Sequence, residues 1–158
     1  MPDTNGNTVR VLLADDSDIM REAIRKLLDG EPAVEVVGEA PSFASAIQLA
    51  GELKPDVLLL DLHMPQKRDF QPSQVCSHLS IVPHTVAISF ANDGEARTLA
   101  ASYGAVALLD KMSLYEQLLP VLNHIAATSS GNPTDVPPTF FNQGFEAPRA
   151  KAAIPFSK

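Results

Sequence analysis

The stretch that decides the fold is VRVLLADDSDIMREAIRKLL, residues 9–28. Its first six residues, Val9–Ala14, form an almost continuous apolar run, which is typical of a β-strand covered on both faces. Apolar residues then recur at helical spacing, at Ile19, Ala23, Ile24, Leu27 and Leu28, and Gly30 supplies a stop. A strand followed directly by an amphipathic helix is the unit from which α/β domains are built.

The same alternation continues along the chain to about residue 127. Short apolar or β-branched runs predict four further strands, at residues 34–37, 57–60, 85–88 and 105–109. Helical stripes and caps predict helices after Ser42, over residues 73–80, from Asn92 with Glu95 to near Gly104, and after the capping box of Ser113 and Glu116. Because helical crossovers join successive strands in parallel, we predict an α/β fold with a doubly wound, five-stranded parallel sheet and helices on both faces.

Composition and charge limit the class of protein. The 158 residues are 45% hydrophobic, which is enough for one domain with one core, and the lone Cys76 excludes an internal disulfide. The net charge of −7 argues against a protein that binds nucleic acid through a general basic surface. No apolar run approaches the roughly 20 residues of a membrane span, and the first residues do not resemble a signal peptide. We therefore expect a soluble, cytoplasmic protein.

Polar residues follow the ends of four predicted strands. Asp15 and Asp16 follow the first strand, Asp61 the third, Ser89 the fourth, and Lys111 comes just after the fifth. Carboxyl ends of parallel strands share one edge of the sheet, where ligands bind in such folds. Three converging carboxylates need a cation, and their oxygen ligands favour a hard ion such as Mg²⁺. Together with a hydroxyl and an ammonium, they predict a site for an aspartyl phosphate.

Each of these residues also has an ordinary structural interpretation. An acid after an apolar strand is usually a helix N-cap or part of a solvated turn. A lone serine there is most often a capping or turn residue, and a lone lysine is most often a solvated surface residue. The combination favours a site, since each polar residue falls at the same edge of a different strand.

Several segments together resemble a known family. LLADDSDIMREAIRKLL, VEVVGEA, LKPDVLLLDLHMP, VAISFA and YGAVALLDK are similar to the receiver domain of bacterial two-component response regulators, with wording closest to the LuxR/NarL-type subgroup. The resemblance covers residues 8–127, about three quarters of the chain.

This resemblance implies the flavodoxin-like strand order 2-1-3-4-5 and a role for each polar residue. Asp61 would accept a phosphoryl group from a sensor histidine kinase or a phosphotransfer protein. Asp16, Asp61 and the backbone carbonyl of His63 would ligate Mg²⁺, with Asp15 acting nearby or through water. Ser89 would bond the phosphoryl group and draw its loop inward, and Lys111 would pair with a phosphoryl oxygen. The domain would then signal by a conformational change that a protein partner reads.

Four positions depart from the family pattern. Phe90 follows the switch serine where a small residue is usual, Leu108 replaces the aromatic residue of the fifth strand, Met112 replaces a common proline, and Asp69 replaces a glycine. These departures leave a second interpretation open, in which a receiver fold acts as a phosphate-independent interaction module.

An enzyme is the third interpretation. Asp16-Ser17-Asp18 forms a D-x-D motif after the first strand, which resembles the nucleophile motif of haloacid-dehalogenase-type phosphatases. The motif is short and common, and the chain has no second acidic pair after a later strand. Asp18 fits better as a first-turn acid that suits the helix dipole.

Residues 128–158 differ in composition from the rest of the chain. This tail contains five prolines and no apolar period, so we predict little regular structure and no effector domain in it. Direct binding of nucleic acid or membrane is therefore not expected, and the output would be protein–protein, with a second copy of the chain as one candidate partner. Phe140 and Phe141 are candidate anchors of a docking motif, although a tail that packs on its own domain or stays disordered is the plainer alternative.

Overall fold

The structure is a computed structural model that describes residues 8–64, 72–90 and 93–127. Its elements alternate along the chain: β1 (Val9–Ala14), α1 (Asp18–Asp29), β2 (Val34–Ala40), α2 (Phe43–Leu53), β3 (Val57–Asp61), α3 (Pro72–Leu79), β4 (His84–Ser89), α4 (Gly94–Ser102), β5 (Ala107–Asp110) and α5 (Leu114–Ala127). None of the helices in these ranges is long and apolar enough to cross a membrane. Asp69, Asn92 and the tail of residues 128–158 lie outside the described residues.

The five strands form one parallel sheet in the order β2-β1-β3-β4-β5, which confirms the predicted fold class and strand order. β3 lies at the centre of this sheet, and all five of its residues are buried. Its register places Leu59 beside Leu13 of β1 and beside Val86 of β4. The near-continuous apolar runs of the inner strands therefore reflect burial on both faces.

Two apolar layers cover the two faces of the sheet. Because successive strand residues point to opposite faces, Leu13 and Leu59 pack under α1 and α5, whereas Leu12 and Leu58 pack under α2, α3 and α4. In the layer under α2, α3 and α4, the rings of Phe43 and Tyr103 stack with their centroids 5.4 Å apart. The helices thus lie on both faces of the sheet, as predicted.

Most of the predicted element boundaries agree with the structure to within three residues. β1 has the predicted bounds, and the hydroxyl of Ser42 caps α2 by accepting a hydrogen bond from the N–H of Ser45. β5 begins two residues later than expected. Gly104, with φ of 82°, turns the chain after α4, and the backbone extends into the ladder only after this turn.

Two predicted helix caps were wrong. α4 is capped by Asp93 rather than Asn92, since the Asp93 carboxylate accepts a hydrogen bond from the N–H of Ala96. Before α5, a 3₁₀ turn over Lys111–Ser113 continues directly into the helix, and its cap is Asp110, which accepts from the N–H of Met112. In both cases a neighbouring carboxylate reaches the unpaired N–H groups, and its negative charge suits the helix N-terminus.

Candidate functional site

The carboxyl edge of the sheet brings together the residues that the sequence analysis singled out. Asp15 follows β1, Asp61 ends β3, Ser89 ends β4, and Lys111 follows β5. Asp15, Asp61 and Ser89 are buried, with 1%, 3% and 0% of their surface exposed. Buried acids and a buried hydroxyl at one edge of a sheet are costly for a fold to hold, which marks this edge as a candidate site.

Three carboxylates converge there. Oxygen atoms of Asp15, Asp16 and Asp61 lie within 4.8 Å of one another, and Asp16 is exposed to solvent. The turn after β1 fixes Asp15, because its N–H donates to the carbonyl of Ala40 and its Oδ1 accepts from the N–H of Ser17. Ser17 in turn caps α1, so the acidic pair sits where the strand becomes the helix.

Lys111 compensates part of this negative charge. Its Nζ lies 2.7 Å from Oδ2 of Asp15 and 3.4 Å from Oδ2 of Asp61, and only 6% of its side chain is exposed. Three carboxylates and one ammonium leave two negative charges uncompensated, which matches the charge of one divalent cation. Carboxylate oxygens are ligands that Mg²⁺ prefers, so the residues present fit this ion.

The environment of Asp61 opposes its ionisation. Burial raises the pKa of the Asp61 carboxyl above its ordinary value, and the neighbouring charge of Asp15 adds to the rise. The N–H of His63, 3.0 Å from Oδ1, and the ammonium of Lys111 act in the opposite direction. A cation bound among these carboxylates would favour the ionised, nucleophilic form.

His63 also makes a contact that the sequence analysis missed. It was predicted to act only through its backbone carbonyl, yet its ring Nε2 lies 3.0 Å from Oγ of Ser89. This hydrogen bond joins the turn after β3 to the end of β4, and its two residues are 26 positions apart in sequence. No local sequence signal announces such a contact, because it depends on two separate loops meeting at the sheet edge.

The two atypical switch positions have different surroundings. Phe90 is 63% exposed, and the centroid of its ring lies 5.0 Å from Nζ of Lys111, close enough for a cation–π contact. Leu108 is 1% exposed and packs in the apolar layer under α2, α3 and α4. Phe90 thus stands beside the candidate site, whereas Leu108 belongs to the core.

Only the first acid of the D-x-D motif, Asp16, belongs to this site. The Asp18 side chain is 88% exposed and pairs with Arg21 on the first turn of α1. It therefore serves the helix, and the local geometry does not favour the phosphatase interpretation.

Comparison with known proteins identifies the family. Residues 11–123 match the family described as "Response regulator receiver domain". The chain is 34% identical to the transcriptional regulatory protein LiaR of Bacillus subtilis over 126 residues, which cover 79% of this chain and 58% of LiaR. It is 33% identical to the nitrate/nitrite response regulator protein NarL of Escherichia coli over 124 residues, 78% of this chain and 57% of NarL. The chain therefore belongs to the response regulator receiver family.

A solved structure and an enzyme relative agree with this membership. The signal receiver domain of the response regulator NarL from Mycobacterium tuberculosis has a TM-score of 0.66 and 30% identity, covering 76% of this chain and 97% of that domain. A protein-glutamate methylesterase/protein-glutamine glutaminase of Pyrococcus abyssi is 34% identical over 109 residues, which are 68% of this chain and 30% of the relative. The chain thus spans between 30% and 58% of the length of these curated relatives.

Proposed function

We propose that this chain is a receiver that accepts a phosphoryl group on Asp61, in a Mg²⁺-dependent reaction, from a sensor histidine kinase or a phosphotransfer protein. The observation that carries the proposal is the convergence of three carboxylates within 4.8 Å, with the Lys111 ammonium at 2.7 Å from Asp15 and 3.4 Å from Asp61. Such an arrangement offers a nucleophile and charge compensation at one point.

The chemistry follows from the contacts of Asp61. A carboxylate oxygen of Asp61 forms the new P–O bond, the P–N bond of a phosphohistidine donor breaks, and its electron pair stays with the donor imidazole. His63 N–H and Lys111 hold the two carboxylate oxygens in place before the transfer. Asp15, Asp16, Asp61 and the His63 carbonyl would hold Mg²⁺, which would supply positive charge for the phosphoryl oxygens. Lys111 then pairs with one phosphoryl oxygen, and the Ser89 hydroxyl donates to another.

The output we propose is a conformational change that another protein reads. A phosphoryl group adds negative charge and three acceptor oxygens, and Ser89 leads directly into the loop before α4. A downstream protein or a second copy of this chain would recognise the altered surface. LiaR and NarL are named as regulators of transcription or of a nitrate response, but direct DNA binding is not part of our proposal for this chain. A cytoplasmic location stays a prediction.

A second candidate is a phosphate-independent interaction module. It is favoured by the ring of Phe90, which stands 5.0 Å from Lys111 where the family usually has a small residue. A benzyl group at this position would crowd an incoming phosphoryl group. In that case the site would hold a metal ion but would not be loaded efficiently.

Intact-mass analysis tests the first candidate against the second. The full chain is incubated with Mg²⁺ and acetyl phosphate, and separately with a phosphorylated histidine kinase, beside the variants Asp61→Asn and Asp18→Asn. We expect a labile adduct of one phosphoryl group in the wild type and in Asp18→Asn, and none in Asp61→Asn or with a chelator. No adduct from either donor in a folded protein would favour the interaction module. Hydrolysis of a generic phosphomonoester that is lost in Asp16→Asn but kept in Asp61→Asn would revive the phosphatase.

A further inference from the structure

One arginine ties the acidic turn to its surroundings. Arg21 lies on α1, and its side chain is only 11% exposed. Its Nη1 donates to the backbone carbonyl oxygen of Asp15 at 2.5 Å, its Nε donates to Oε1 of Glu39 at 2.9 Å, and its Nη2 pairs with Asp18. One guanidinium thus connects the acidic turn, the first turn of α1 and strand β2.

These contacts hold the backbone of Asp15 at both ends. Its N–H donates to the carbonyl of Ala40, and its carbonyl accepts from Arg21. The guanidinium is itself held in place by Glu39, whose second oxygen accepts from Nη1 of Arg25 at 3.0 Å. Because a guanidinium is a rigid planar fork, fixing one of its edges fixes the direction of the others.

We propose that Arg21, oriented by Glu39, is a positioning residue for the metal-binding carboxylates of Asp15 and Asp16. It acts through the backbone carbonyl of Asp15 and contacts no carboxylate that would ligate the ion. The inference rests on the Mg²⁺ site of the proposed function. It adds that the affinity of this site for Mg²⁺ depends on the guanidinium of Arg21, which lies on α1 and is not itself one of the ligands.

Charge and positioning predict opposite effects when Arg21 is neutralised. Removing a positive charge near a cation site would strengthen Mg²⁺ binding by simple electrostatics. Removing a group that orders the ligands would weaken it, as is found when outer partners of metal ligands are lost. Arg25 offers a matched control, since it lies on the same helix and pairs with the same Glu39, while its contacts given by the structure do not include Asp15.

Calorimetric titration with MgCl₂ at constant ionic strength tests the proposal on the full chain. We expect Arg21→Gln to raise the Mg²⁺ dissociation constant by about tenfold, and Arg25→Gln to change it by less than about twofold. Glu39→Gln keeps the arginine but frees its orientation, so it should also weaken binding. As a second readout, the backbone amide signals of Asp16 and Ser17 should shift with Mg²⁺ at correspondingly higher concentrations in the weakened variants.

Three outcomes would each contradict either the positioning role of Arg21 or the metal site of the proposed function. Unchanged or tighter binding in Arg21→Gln contradicts the positioning role and leaves the proposed function standing. An equal loss in Arg21→Gln and Arg25→Gln also contradicts it, because only one of the two contacts Asp15. A wild type that binds no Mg²⁺ contradicts the metal site itself. Circular dichroism confirms folding at the titration temperature, and if Arg21→Gln fails this check, Glu39→Gln decides the question.

Discussion

Replacement of Lys111 by methionine tests whether its ammonium neutralises the acidic cluster. Methionine keeps an apolar stem of similar length but removes the charge that lies 2.7 Å from Asp15 and 3.4 Å from Asp61. Both carboxylates would then be buried without their cation, since the exposed fractions of their side chains are 1% and 4%. We therefore expect the variant to be less stable than the wild type at pH 7 in the absence of Mg²⁺.

The size of the loss follows from the two contacts. At an effective dielectric constant of about 20, charges at 2.7 and 3.4 Å attract by roughly 6 and 5 kcal/mol. Desolvation of all three charges offsets much of this attraction in the wild type. Removing one partner of a buried pair costs about 3–5 kcal/mol. We expect a decrease of about 3 kcal/mol in the free energy of unfolding, at the lower end of this range, because Asp61 can bind a proton and so lose its unpaired charge.

Two conditions should reduce this loss. Saturating Mg²⁺ supplies the missing positive charge, so the difference between variant and wild type should fall below half of its value in chelator. Lowering the pH should also reduce the stability difference, because burial raises the pKa of Asp61 and a protonated Asp61 carries no charge that needs a cation. The difference should therefore be smaller at pH 5 than at pH 7.

Urea denaturation monitored by circular dichroism measures the effect. Lys26→Met is the matched control, since the side chain of Lys26 is 76% exposed and pairs at 3.4 Å with Glu22, four residues earlier on α1. It should change stability by at most about 0.5 kcal/mol. A loss below about 1 kcal/mol in Lys111→Met, or one that Mg²⁺ and pH leave unchanged, would refute the view that this ammonium balances the site.

Three further predictions follow from other parts of the structure. Burial raises the pKa of Asp61, so the folded chain binds its proton more tightly than the unfolded chain, and stability falls as pH rises from the unfolded pKa of about 3.9 up through the raised folded pKa. Asp61→Asn should accordingly be more stable than the wild type by about 1 kcal/mol at pH 7, with the gain disappearing below that unfolded pKa in urea denaturation. Phe90→Ala removes a ring that lies 5.0 Å from the Lys111 ammonium and would shield the phosphoryl group from water, so we expect a shorter phosphoryl lifetime by mass analysis. An unchanged lifetime would contradict this role. Gly104→Ala should cost about 1–2 kcal/mol in thermal unfolding, since its φ is 82°. Gly51→Ala, in the last turn of α2 with nothing within 4 Å of the added carbon, should instead stabilise by about 0.5–1 kcal/mol. A similar loss in both variants would refute the conformational argument.

The sequence by itself determined the class of fold and the edge that carries the site. The apolar runs of β1 and β3 predict strands buried on both faces, because only a covered strand needs apolar residues at successive positions. Parallel strands have their carboxyl ends at one edge, so the acids after β1 and β3 had to approach each other. Helix starts were less certain, since Asn92 and Asp93 are both good caps and only the folded backbone shows which side chain reaches Ala96.

Only the tertiary structure decided how the site residues contact one another. The bonds of His63 to Ser89 and of Arg21 to Glu39 join residues on different elements, and nothing in the local sequence around any of them encodes the partner. The approach of Lys111 to Asp15 likewise depends on β5 lying in the same sheet as β1, with only β3 and β4 between them. Periodicity reports which face of an element is buried, whereas a side-chain contact depends on where two separate turns end in space. That is why the identities of the site residues were predictable and their partners were not.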